Sequence, residues 1–267
     1  AAIVSRCQKP FPPGRTPQSR WGSLGLCEWG NPNGDVCGAR VSAIPWRART
    51  LAGTQTIADS KRAFHQAFPH VIAPLHRRIA DELLVELHLL SHQQSFQAGH
   101  LFSVGLVTVF DRFTQGYRPA EHRNDLMAAL CSSNGFDAGQ LRKDSDVCIK
   151  AASEQTNDDF DSWVQDFSLP EQAHYSRLMA VGLLALLEAS QGELKGDDAA
   201  ALRQRAVEIS KTIGMPSDRV EKDLSVFASS SERMEQAVEL MEETLAAEKR
   251  KKERRLAEAA EKKAQSN

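Results

Sequence analysis

The chain has 267 residues, of which 41% are hydrophobic and 25% charged, and a formal net charge of −2. That length holds one large domain, alone or with appendages, and the longest apolar run of the body, Met179 to Leu187, is far shorter than the roughly 18–20 residues of a membrane span. Residues 1–53 carry seven Lys/Arg against two Asp/Glu, which leaves 26 against 33 for the rest and excludes a uniformly basic nucleic-acid surface on the body.

Residues 1–53 hold six of the eleven prolines, three of the four tryptophans and three of the five cysteines. With no sustained period of 2 or 3.6, they are expected to be mostly disordered. The Arg-rich, acid-poor composition is that of an organelle transit peptide, but Ser is sparse and no amphipathic helix is visible. Cys27 and Cys37 lack the close spacing of a structural zinc site, and an odd total of five cysteines prevents a complete disulfide set. Reduced thiols are expected, with Cys131 and Cys148 as small buried side chains.

The folded body is expected from about residue 54. Thr54 or Thr56 can cap a helix through Ala67 that Pro69 ends. A second helix spans PLHRRIADELLVELHLLSHQ (74–93), with Pro74 in the first turn, where its missing N–H is tolerated. Leu75, Ile79, Ala80, Leu83, Leu84, Leu87 and Leu90 share one half of it, and Arg77, Asp81, His88 and His92 the other. Arg77–Asp81 and Arg78–Glu82 are opposite-charge pairs at i,i+4. So wide an apolar face needs a partner helix, and HLFSVGLVTVFDRFTQGY (100–117) is the natural candidate. Val104, Val107, Thr108 and Val109 favour a strand, but Phe102, Leu106, Val109, Phe110 and Phe113 keep helical spacing and Gly116 supplies a stop.

Further helices are expected from Pro119 to Ser132, closed by Ser-Ser-Asn-Gly, and from an Asp137 cap to about Ser153. Residues 154–162 are acidic and read as loose, with Trp163 and Phe167 pinning a helical turn. Pro170 starts an apolar helix through Ser190. Another runs from Asp197 to Ile213 and ends at Gly214, and Met215-Pro216-Ser217 restarts a helix with Val220, Leu224 and Phe227. From Ser231 to Ala264 there is neither proline nor glycine. Met234, Val238, Met241 and Leu245 form a stripe for the body or a coiled coil, and beyond it almost nothing is left to bury. Glu248–Lys252, Arg254–Glu258 and Glu258–Lys262 are expected i,i+4 pairs there.

TIADSKRAFHQAFPHVIAPLHRRIADELLVELHLL (56–90) followed by FSVGLVTVFDRFTQGYRP (102–119) resembles the thylakoid-formation protein family, in wording nearer its cyanobacterial than its plant branch. The match is specific over 56–136 and collinear to about 250. The resemblance implies an all-helical protein without assigned catalytic residues that associates peripherally with thylakoid membranes. It also implies a role in photosystem II biogenesis and repair, in support of a membrane-bound AAA protease and alongside photosystem II assembly components. The implied location is the cyanobacterial cytoplasm at the thylakoid surface, or alternatively the chloroplast stroma. Residues 1–53 then read as a transit peptide, an unusual extension or non-native upstream sequence.

Candidate chemistry is sparse. His88 and His92, spaced i,i+4, can hold a metal, but Leu89 stands where a zinc helix carries its general-base Glu and no third ligand lies nearby. The competing reading is a wet polar face, on which replacing both by Gln changes little. No P-loop, dinucleotide-binding or nucleophile-elbow motif occurs. Asp144, Asp146, Asp158, Asp159 and Asp161 lack calcium-loop spacing. Cys131 has no identifiable histidine partner for nucleophilic chemistry. The remaining signal is Lys249, Arg250, Lys251, Lys252, Arg254 and Arg255, which suits anionic headgroups or an acidic partner. Interspersed Glu and the lack of aromatics weigh against DNA or RNA. The expected protein is all-α, a multi-helix globular bundle over 54–228 with a long protruding C-terminal helix over 229–267. Its expected role is that of a non-enzymatic accessory factor without cofactor or metal. The alternative is a nucleic-acid-binding helical protein that uses the basic cluster.

Overall fold

The computed structural model describes residues 55–155, 157–191 and 198–265. Contacts divide the chain into a unit over Ala1–Ser42, outside the described residues, and a unit over Ala43–Asn267 that holds the helices. These are α1 (Ile57–Ala67), α2 (Pro74–His92), α3 (His100–Phe113), α4 (His122–Ser132), α5 (Ala138–Ser153), α6 (Asn157–Val164), α7 (Arg177–Gln191), α8 (Asp198–Thr212) and α9 (Ser217–Gln265), with one short 3₁₀ turn at Gln165–Phe167. No β-strand occurs among the described residues, so the fold is all-α as expected.

Local chemistry sets several of the ends. Thr56 and Asp59 form a reciprocal capping box on α1: Asp59 N–H donates to Thr56 Oγ1 at 3.3 Å and Thr56 N–H to Asp59 Oδ2 at 3.1 Å. The hydrogen bonds of Thr56 hold the Asp59 carboxyl below its ordinary pKa. Asp137 accepts from the N–H groups of Gly139 and Gln140 at the start of α5. Gly135 and Gly214 take φ of +82° and +78° where α4 and α8 stop.

The hydrophobic core is built on α3 and α7, whose side chains are buried on almost every side. They cross at Gly105 and Gly182 while running in the same direction, with Arg112 3.4 Å from Glu188 beyond the crossing and His174 N–H on the Ser95 carbonyl at 3.1 Å before it. A Cβ on Gly105 would sit 1.7 Å from the Leu178 carbonyl oxygen, and one on Gly182 2.0 Å from that of Leu101. The principal partner of α3 is therefore α7, with α5 on its flank, and not α2 as the apolar face of 74–93 suggested. Helix α2 packs instead with α1 and α4, its leucines closing one side of the core.

Other boundaries differ from the sequence expectation. The apolar helix begins at Arg177 rather than Pro170, because the Ser176 hydroxyl accepts the Leu178 N–H and caps the helix there. The acidic stretch expected to be loose forms α6, since Phe160 and Val164 bury one side of it and Trp163 meets Phe167 edge-on at 4.8 Å. Pro119 precedes α4 by a turn in which His122 N–H reaches the Pro119 carbonyl at 3.2 Å. Helix α3 stops at Phe113, where Thr114 donates its hydroxyl back to Phe110 O, and Gly116 (φ +70°) completes the reversal. The helices expected at 217–227 and 231–264 are one continuous rod of 49 residues, so residues 228 and 229 lie inside α9. At about 1.5 Å per residue it is roughly 73 Å long.

Candidate contact surface: the C-terminal arm

Helix α9 is fixed to the body only through its first half. Val220 and Leu224 are buried, and Phe227 meets Phe113 edge-on at 6.0 Å. Arg112 lies 3.8 Å from Glu235. The last holds are Val238 and Met241, which pack over Gly116, and Arg118, which lies 3.9 Å from Glu242. The stripe that begins at Met234 therefore packs on the body, and Leu245, its final member, is exposed.

Every residue from Glu242 to Ala259 is exposed. Lys249, Arg250, Lys251, Lys252, Arg254 and Arg255 all lie on this free stretch. At about 100° per residue they point around the whole circumference, with no gap wider than about 100°. They form a collar rather than a stripe. The three i,i+4 ion pairs expected along the arm do not close within 4 Å among the described residues, and neither does Arg77–Asp81, whereas Arg78–Glu82 does at 2.9 Å. Exposed pairs of this kind are worth only about 0–1 kcal/mol, so the arm's charges stay in solvent. An electropositive collar on an unsupported helix can engage anionic groups from any side.

The paired histidines of α2 are otherwise engaged. His88, expected on the wet face, is only 8% exposed because α1 crosses that edge of α2. Its Nδ1 lies 2.8 Å from Ser60 Oγ, and Ser60 also accepts from the Gln55 side chain at 3.2 Å. His92 remains exposed, with Nδ1 2.8 Å from the His88 carbonyl oxygen. Burial, and then the neighbouring His92, push the His88 pKa down. Among the described residues no third His, Cys, Asp or Glu joins the pair to make a metal cluster. Cys131 and Cys148 are both buried, and burial pushes each thiol up to about 12. Thiols held protonated in this way are poor nucleophiles.

Fold and surface together define an all-helical body with a charged, free-standing arm. The family model described as "Thylakoid formation protein" matches residues 56–256, which includes the body, the root of the arm and the collar. The chain belongs to the thylakoid formation protein family. It is 69% identical over 211 residues to Protein Thf1 of Parasynechococcus marenigrum (strain WH8102), an alignment covering 79% of this chain and 98% of that protein. It is 37% identical over 219 residues to Protein Thf1 of Synechococcus elongatus (strain ATCC 33912 / PCC 7942 / FACHB-805), covering 76% and 86% of the two chains. Among solved structures it is similar to Psb29 at 1.55 Å, with a TM-score of 0.62 and 31% identity over 74% of this chain and 98% of that one.

Proposed function

We propose that this protein is a non-enzymatic accessory factor in thylakoid membrane and photosystem II biogenesis and repair. It attaches peripherally to the thylakoid surface and supports a membrane-bound AAA protease that acts beside photosystem II assembly components. The observation that carries this reading is the family match over 56–256, which encloses both the helical body and the basic collar. No described helix is long and apolar enough to cross a membrane, so attachment falls to surfaces such as the arm. Six cations exposed around one rod suit anionic headgroups or an acidic protein face.

The test compares the full chain with a chain lacking 248–267. Both are incubated with thylakoid membranes, sedimented across a salt series, and used in pull-downs whose partners are identified by mass spectrometry. Because Glu242 to Ala259 bury nothing, the truncated chain is expected to unfold at the same midpoint as the full one. It is expected to lose membrane and protease attachment, and the full chain to lose both as salt shortens the Debye length below about 8–10 Å. Equal retention of both chains would remove the collar from the contact. Tight, steeply salt-dependent binding of random-sequence DNA by a full chain that ignores thylakoids would establish the nucleic-acid reading instead.

A further inference from the structure

A groove of about 1500 Å³ runs along the body between α2 and α9 and is floored by α3 and α7. The two walls are antiparallel. The N-terminal turn of α2 sits by the loop that carries the end of α9's hold, with His76 Nε2 3.1 Å from Gln115 O and Val238 over Gly116. At the other end Arg177 reaches Glu86 at 2.7 Å, and the Tyr175 hydroxyl donates to Asp223 at 2.7 Å. The lining runs from Pro74 to Leu90 on α2 and from Arg219 to Ala237 on α9. At about 1.5 Å per residue, each wall is roughly 24–27 Å long.

The interior is apolar. Val109 and Val181 form the floor, Ile79 and Leu89 line one wall, and Val226 and Ala237 the other. Leu89 and Val226 are 62% and 60% exposed, so the opposing walls both present large apolar side chains to water. Neither belongs to the core cluster, and a contiguous apolar surface rimmed by charge marks an interaction site. The volume exceeds the roughly 300–1,000 Å³ of small-molecule pockets. A trough of this length with helical walls instead fits one added helix of about 16–18 residues, anchored at i, i+3/4 and i+7.

The rim states the charge of that helix. Its acids are mostly engaged: Glu82 pairs with Arg78, Glu86 with Arg177, and Asp223 takes the Tyr175 hydroxyl. Among the described residues, the rim arginines Arg77, Arg219 and Arg233 take no ion-pair partner, against two acids without one, Asp81 and Asp223, and the Tyr175 hydroxyl occupies one oxygen of Asp223, so the unpaired rim charge is positive. The arm of a second copy would bring its basic collar toward these arginines and be repelled. We infer that the α2–α9 groove is a docking site for an amphipathic helix of a protein partner, apolar on one face and acidic on its flanks.

The probe is a fluorescein-labelled 18-residue helical peptide with leucines at i, i+3/4 and i+7 and glutamates beside them, titrated by anisotropy into the full chain. A second peptide carries lysines in place of the glutamates. Saturable 1:1 binding of the acidic peptide is expected, weakened at least about tenfold by Val226→Lys in the centre of the wall. Arg233→Glu is expected to erase the preference for the acidic peptide. Val147→Lys, at a 58% exposed position on α5 away from the groove, is expected to change nothing. If Val226→Lys does not fold, Leu89→Lys on the facing wall replaces it. The inference is overturned by failure of the acidic peptide to bind, by equal binding to Val226→Lys, or by equal binding of the lysine peptide. It is likewise overturned by a self-dimer that Val226→Lys dissociates. Loading of the full chain on phosphatidylglycerol vesicles that Val226→Lys abolishes and the acidic peptide does not compete would overturn it in favour of lipid.

Discussion

Replacing Gly105 by Ala should destabilise the protein more than the change of one methyl group suggests. In an exposed helix the same change stabilises by about 1 kcal/mol, because Ala loses less backbone entropy. Here the new Cβ would lie 1.7 Å from Leu178 O, 2.6 Å from Leu178 C and 3.0 Å from Gly182 N, all backbone atoms. To bring even the first of these to 3.0 Å, the helices must part by about 1.3 Å. A gap of that order forfeits a quarter to a half of each dispersion well along the crossing. Overpacking relieved by side-chain shifts typically costs about 1–3 kcal/mol. Here no side chain can yield, so the net loss for Gly105→Ala should be at least about 3 kcal/mol, even after the propensity gain. For a body of this size that is roughly 6–12 °C in melting temperature. Gly182→Ala meets Leu101 O at 2.0 Å and should behave alike. The two losses should not add, because once α3 and α7 have moved apart the second methyl finds room. Urea unfolding of the two single variants and the double variant, with calorimetry, reads all three quantities. A single variant more stable than the parent, or strict additivity, would refute the close-crossing account.

Burial holds His76, His88 and His100 below the ordinary histidine pKa, with the Gln115 carbonyl partly opposing it at His76, His92 reinforcing it at His88 and Asp144 opposing it at His100. The folded state then resists protons that the unfolded chain accepts below about pH 6.5, so stability should be full above that pH and fall beneath it, by up to about 1.4 kcal/mol per pH unit for each histidine. Urea midpoints between pH 8 and 5.5 check the sign, and a stability that rises on acidification contradicts it. His88→Gln should cost about 1–3 kcal/mol by taking the Nδ1 partner from the buried Ser60 hydroxyl, which keeps only its bond from Gln55, whereas His92→Gln should stay within about 0.5 kcal/mol. Equal effects in thermal melts would return His88 to the wet face.

Much of the fold was legible because it is local. Thr56 with Asp59, Asp137 with the amides of Gly139 and Gln140, and Gly135 and Gly214 all act within a few residues, so their signals are written in the sequence they govern. The period of Phe102, Leu106, Val109 and Phe113 outweighed the β-branched residues around it, since a helix buried all round leaves no alternative partner for its backbone. Misreadings came from non-local neighbours. His88 lies on the polar half of α2 by angle, and only the crossing of α1 buries it against Ser60. Leu89 and Val226 fall outside the core stripes, which was visible, but that they face each other across a trough was not. Gly105 and Gly182 sit in ordinary-looking helical runs 77 residues apart, and nothing local announces that each backbone needs the other. The collar was legible as residue type and spacing, whereas its freedom from ion pairs depends on side-chain placement along the arm.

The continuity of α9 links the two contact surfaces. No glycine or proline interrupts it from Ser217 to Gln265, so the groove wall that ends at Ala237 and the collar that begins at Lys249 lie on one rod. Lys249 stands twelve positions beyond Ala237, about 18 Å at helical rise. A partner seated in the groove is therefore held within helical reach of whatever the collar touches. If one partner assembly supplies both the acidic helix and the anionic surface, the second contact forms intramolecularly, and its effective concentration greatly exceeds that of the free partner. Two individually weak contacts then make one firm attachment. Loss of either should release most of the bound protein from thylakoid membranes, so that Val226→Lys combined with deletion of 248–267 removes little more than either alone. If different partners occupy the two surfaces, each change should reduce its own partner's recovery and leave the other's intact. Quantitative pull-downs with the single and combined variants separate these cases, and the distinction depends on α9 staying straight between Ala237 and Lys249.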